Sequence, residues 1–133
     1  MIAEKTIIIC GKEVQMRYCL AAEQGYEILS DHSIDVFNPT VLERDEDGNP
    51  TKIDPPKANT ADYVKLACAA IVAAYERNGQ DTPIKADEIL YDATTDEVTA
   101  LVSAVVELRM KWYNIPSVIK PETDEKPDDP KNA

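Results

Sequence analysis

Few side chains in this sequence could do chemistry, and their spacing argues against most of it. The single histidine, His32, stands between Asp31 and Ser33. A Ser/His/Asp relay needs three side chains that converge in space, which immediate chain neighbours do not supply. His32 therefore reads as a turn residue after a helix. Cys19 paired with His32 would give a thiolate nucleophile, but no oxyanion loop or third orienting group accompanies the pair. The run from Asp45 to Asn49 is calcium-like in composition. An EF-hand loop wants glycine at its sixth position and a bidentate glutamate at its twelfth. Counted from Asp45, those positions hold Pro50 and Pro56, so a solvated turn is expected. Asp87 and Glu88, like Asp96 and Glu97, fall in the first turns of expected helices, where acids favour the helix dipole. The glycines, at 11, 25, 48 and 79, are scattered and form no phosphate loop. The reading assigns no catalytic residue, no metal ligand and no cofactor.

Composition narrows the classes further. The chain has 133 residues, 44% of them hydrophobic and 29% charged, which suits one soluble domain with a core of its own. There is no continuous apolar run of membrane-spanning length, and the first residues carry Glu4 rather than the basic segment of a secretory leader. Three cysteines, Cys10, Cys19 and Cys68, without metal-ligand spacing read as reduced thiols. Twenty-five acids against 14 bases give a net charge of −11. Nucleic-acid binding needs lysine and arginine against phosphate, and anionic membrane surfaces need the same. Neither partner is expected; a protein, a cation or another neutral or basic ligand stays open, and the acidity also serves to keep the chain soluble.

The elements that must carry any site follow from periodicity. Residues 5–10 are rich in β-branched types, Gly11 and Lys12 read as a tight turn, and Val14, Met16 and Tyr18 alternate on one strand face. Residues 19–30 read as a helix whose apolar side is Leu20, Ala21, Gln24, Tyr26, Ile28 and Leu29, with Gly25 permitting a close backbone approach. Ile34, Val36 and Phe37 dock a short segment. Residues 39–58 read as a protruding loop or ribbon, with Val41, Leu42 and Ile53 flanking the turn. Asn59 or Thr60 caps a helix that ends near Gly79. A short helix carries Ile89, Leu90 and Tyr91. Thr94 and Glu97 form a capping box for the last helix, whose main stripe is Val98, Leu101, Val102, Val105, Leu108 and Trp112. The fold class is α+β: an N-terminal β-hairpin on a three- to four-helix bundle, in one domain over 1–118. Residues 119–133, charged and proline-rich, read as a disordered tail.

Some apolar residues exceed what one small core needs. Val106, Met110 and Tyr113 form a second stripe on the last helix, and Tyr63 and Val72 lie on the long helix before it. These five are the candidate partner-binding residues, since methionine and aromatic side chains are enriched at interfaces.

The order of these elements resembles the tail assembly chaperones of long-tailed phages and prophages. The resemblance is carried by the turn at Gly11 and Lys12, by Arg17, Tyr18, Cys19 and Leu20 opening a helix, and by the stretches 63–71, 87–91 and 105–113. It spans about residues 5–116, and the ribbon at 41–56 departs from shorter members. It implies a protein in the cytoplasm of a bacterial host that binds and solubilises the tape-measure protein, helps recruit tail-tube subunits and forms no part of the finished particle. Self-association into a homo-oligomer stays open. Three other readings also stay open: a tail-completion or head-tail connector component, a small intracellular interaction module, and a small enzyme using Cys19 or the carboxylates.

Overall fold

A computed structural model describes residues 2–114. The tail expected at 119–133, and the end of the domain expected at 1–118, lie outside the described residues. The architecture is the expected α+β arrangement. Strands β1 (Ala3–Ile9) and β2 (Lys12–Tyr18) form an antiparallel hairpin, and helix α1 (Leu20–Ser30) follows. A 3₁₀ turn (Ile34–Phe37) leads into a second hairpin, β3 (Thr40–Arg44) with β4 (Pro50–Asp54). Helices α2 (Thr60–Glu76), α3 (Ala86–Asp92) and α4 (Thr95–Trp112) complete the order. The two hairpins are separate two-stranded sheets.

The first hairpin alternates along β2, and β1 buries its two ends. Ala3, Ile9, Val14, Met16 and Tyr18 are buried, while Glu4, Thr6, Glu13 and Gln15 face out. Its register runs from Ala3 opposite Tyr18 to Ile9 opposite Lys12. The tight turn is therefore Cys10 and Gly11, one residue earlier than expected from Gly11 and Lys12. Both turn residues have positive φ, 51° and 74°, which matches the right-handed strand twist. The cysteine tolerates this because its N–H is held from outside: Glu97 Oε2 accepts it at 2.8 Å. Lys12 Nζ, freed to sit on the strand, reaches the Pro83 carbonyl at 3.0 Å and Glu88 at 3.3 Å.

Helix α2 is the centre of the molecule. Val64, Leu66, Ala67, Ala70 and Ile71 are all buried, and α1, β2 and α4 pack around them. Its caps are those the sequence indicated. Asn59 Oδ1 accepts the Asp62 N–H, Asp62 returns the bond to the Asn59 N–H, and Gly79 closes the far end at φ 70°. Helix α4 buries Leu101, Val105 and Leu108 as expected, together with Ala104. Phe37 is buried between Tyr26 and Tyr63 in edge-to-face contacts of 4.8 and 5.0 Å. The second hairpin stands out from this body, with Leu42 and Ile53 exposed. At its tip Asp45 Oδ1 accepts the N–H groups of Asp47 and Asn49, both at 2.9 Å, which makes the calcium-like run a self-satisfied turn.

One helix face was misassigned from sequence. The side of α1 expected to be buried is largely open: Leu20, Ile28 and Leu29 are 60%, 85% and 45% exposed. Of that expected side Tyr26 alone points inward, and the residues buried beside it are Ala22 and Glu23. Glu23 is held there by two hydroxyls, Tyr18 at 2.7 Å and Tyr113 at 2.5 Å, and Tyr26 by Asp62 at 2.9 Å. A polar side chain buries readily when its hydrogen bonds are met, and these partners come from elsewhere in the chain.

Glu97 serves two elements at once, because Oε1 accepts the Thr94 N–H while Oε2 takes the hairpin turn. The Thr94 bond, opposed by partial burial and aided by the Cys10 bond, holds its carboxyl below the usual glutamate range. Its stabilising effect is present above about pH 4.3, the ordinary glutamate value, and is lost as pH falls through the depressed value. Glu97→Gln leaves only one accepting oxygen for two amides. We expect it to lower the thermal midpoint at pH 7, with a gap to the parent that narrows below about pH 4. A gap constant with pH would show that Glu97 acts through packing alone.

Candidate functional site

The misassigned face of α1 forms one wall of a broad concavity. Ala21, Gly25, Ile28 and Leu29 line it from α1. Cys68, Ala69, Val72 and Ala73 line it from α2, and Ile84 and Ala86 from the α3 side. The groove holds about 750 Å³. Small residues make its floor, and Gly25 is the reason α1 and α2 lie so close. A Cβ at Gly25 would stand 3.2 Å from the Ala69 Cβ, tighter than packed carbon atoms normally approach. Glu76, Asp81 and Lys85 supply the charge at the rim. Ile28, 85% exposed, carries apolar surface from the groove out to solvent. An opening of this shape fits a helix laid along it better than a small molecule enclosed in it.

Two polar clusters lie on the other faces of α1. In the first, Asp62 Oδ1 accepts the Tyr26 hydroxyl at 2.9 Å and meets His32 Nδ1 at 3.2 Å. His32 is thus oriented by Asp62, 30 residues away, and not by its neighbours Asp31 and Ser33. Burial pushes the Asp62 carboxyl up, but the Asn59 N–H, the Tyr26 hydroxyl and the His32 ring outweigh it, and the net shift is downward. The second cluster gathers Tyr18, Glu23 and Tyr113, with the Arg109 guanidinium over the Tyr113 ring at 4.9 Å and over Phe37 at 5.8 Å. Burial first, then the Glu23 hydrogen bond, pushes the Tyr18 and Tyr113 hydroxyls above the tyrosine range. Both remain donors at neutral pH, which keeps the cluster intact.

Asp62→Asn tests the first cluster. An amide offers one acceptor where the carboxylate offers two, so either the Tyr26 hydroxyl or the Asn59 N–H loses its partner. The expected cost is about 1–3 kcal/mol at pH 7, read by chemical denaturation. Because the folded carboxyl is depressed, the difference shrinks as pH falls below about 3.9, the ordinary aspartate value. An unchanged midpoint at pH 7 would show that solvent replaces the lost bond.

Neither Cys10 nor Cys68 carries an activated thiolate in this geometry. Burial pushes Cys68 up to about 12. Burial, then the charges of Glu97, Asp92 and Glu88, raises Cys10. Among the described residues no hydrogen bond joins Cys19 to His32, and no three His, Cys, Asp or Glu side chains form a metal-ligating group. No helix among those residues is long and apolar enough to cross a membrane.

Comparison with protein-family models, curated proteins and solved structures finds no match for the chain. The site is therefore read from its own geometry.

The five partner-binding candidates divide between two surfaces. Val72 lines the groove. Tyr63 packs on Phe37, and Tyr113 is 44% exposed but bonded to Glu23. Val106 and Met110 are half-buried on α4, about two turns and one turn before the cap residue Tyr113. Sequence reasoning missed Ile28, Leu29, Ala21 and Gly25 as site residues. Their signal was present as the apolar spacing on α1, but it was read as core.

Proposed function

We propose that this protein binds and shields apolar helical segments of another protein, and that it is a tail assembly chaperone-like protein whose client is the tape-measure protein, in the cytoplasm of a bacterial host. The observation that carries this reading is the groove between α1, α2 and α3, apolar on floor and walls and continued outward by Ile28. Exposed apolar surface gathered in one place marks a binding site. A long helical client with apolar stripes aggregates when its stripes stay bare, and a groove of this kind covers such a stripe while the acidic exterior keeps the complex in solution. Nothing in this mode of action requires a catalytic step, a metal or a cofactor. Recruitment of the tail-tube protein would use a second surface, for which Tyr63, Val106, Met110 and Tyr113 are the candidates.

Co-expression tests the proposal. Segments of a tape-measure protein that aggregate alone should become soluble and co-purify when this protein is made with them. Purified particles should lack the protein by mass spectrometry. Its stoichiometric presence in particles would instead favour a tail-completion or connector component, and failure to solubilise any segment would remove the chaperone reading.

A further inference from the structure

The rim of the groove carries a charge pattern that the apolar floor does not explain. Glu76 lies in the last turn of α2, the end at which the helix dipole presents partial negative charge. Asp81 follows the Gly79 turn and lines the same end of the groove. The last turn of α2 holds no basic residue. Arg77, the cap residue, is exposed and does not line the groove, and Lys85 is the one base that does. Acids beside a helix C-terminus repel it, and a cation brought to that point relieves both. The whole chain, at −11, reinforces the same field.

From these observations we infer that the groove takes an amphipathic α-helix whose apolar stripe is flanked by lysine or arginine. The inference rests on the proposed function and specifies the partner of that same site. Length agrees with a short helical segment: Ala21 to Leu29 spans two turns and more of α1, about 12 Å of wall. A small apolar ligand would leave most of Ile28 in water, whereas a helix lying across the opening covers it. A second copy of this chain is disfavoured as occupant, because it would bring another net charge of −11 to an acidic rim.

The experiment uses the full chain and three synthetic helical peptides of equal length. One has leucines at i, i+3, i+4 and i+7 flanked by lysines, the second has the same stripe flanked by glutamates, and the third is the lysine peptide with its stripe scrambled. Fluorescence anisotropy should show the lysine-flanked amphipath binding about tenfold or more tighter than the glutamate version at roughly 0.05 M salt, with the gap closing at roughly 0.5 M as the charges are screened. The rim variant Glu76→Lys with Asp81→Lys, both at exposed positions, should lose that preference while circular dichroism stays unchanged. Equal binding of the lysine and glutamate peptides overturns the charge inference and leaves the groove reading standing. Binding of the scrambled peptide as tight as that of the amphipath reduces the effect to bulk attraction and also overturns it. Binding of neither amphipath overturns the proposed function together with the inference.

Discussion

Leu101→Ala is expected to destabilise the protein by about 2–5 kcal/mol, the range for a buried leucine reduced to alanine. Leu101 is 0% exposed and sits mid-helix on α4, in the buried cluster shared with Val105, Leu108, α2 and the hairpin. Helix α4 packs on β1 and α2 together, so the void opens where three elements meet and neighbouring backbone cannot easily collapse into it. For a domain of this size each kcal/mol moves the thermal midpoint by several degrees, so the variant should melt well below the parent. Val106→Ala, at a half-buried position on the same helix, is expected to cost clearly less. Differential scanning calorimetry of the pair checks the claim. Equal losses at the two positions would mean that α4 does not present a single buried stripe.

Ile28→Lys combined with Leu29→Lys should have the opposite profile: little change in stability and loss of client capture. Ile28 is 85% and Leu29 45% exposed, so their substitution removes little buried area and opens no cavity. Both line the groove. Together they turn its α1 wall from apolar to cationic, which expels an apolar stripe and repels basic flanks. The co-expressed tape-measure segment should then return to the insoluble fraction while the variant itself stays folded and soluble. A variant that still holds the client would remove the groove from the account. A variant that unfolds would show α1 docking through these side chains after all.

Parts of this structure were legible in the sequence because their signals are local. The alternation of Val14, Met16 and Tyr18, the box formed by Thr94 and Glu97, and the cap and stop at Asn59 and Gly79 each depend on residues a few positions apart. The tight turn slipped by one residue because Cys10 takes a left-handed conformation that its type does not favour. The acceptor that permits it, Glu97, lies 87 residues away. The inward face of α1 was illegible for a related reason. Leu20, Ile28 and Leu29 are more apolar than Glu23, yet Glu23 is the residue buried, because Tyr18 and Tyr113 close on it and Tyr113 is 90 residues distant. The environment of His32 likewise depends on Asp62. The groove was invisible in the same way, since three helical segments contribute to it and only Val72 had been singled out. Its shape also depends on the absence of a side chain at Gly25.

The central claim is that the groove, and not the α4 stripe, is where a helical client docks. Amide chemical-shift mapping of the ¹⁵N-labelled protein, titrated with the lysine-flanked amphipathic peptide, tests it most directly. The account predicts that the largest shifts fall at Ala21, Gly25, Ile28, Leu29, Val72 and Ala73. Large shifts at Tyr63, Val106, Met110 and Tyr113 with a silent groove would contradict it.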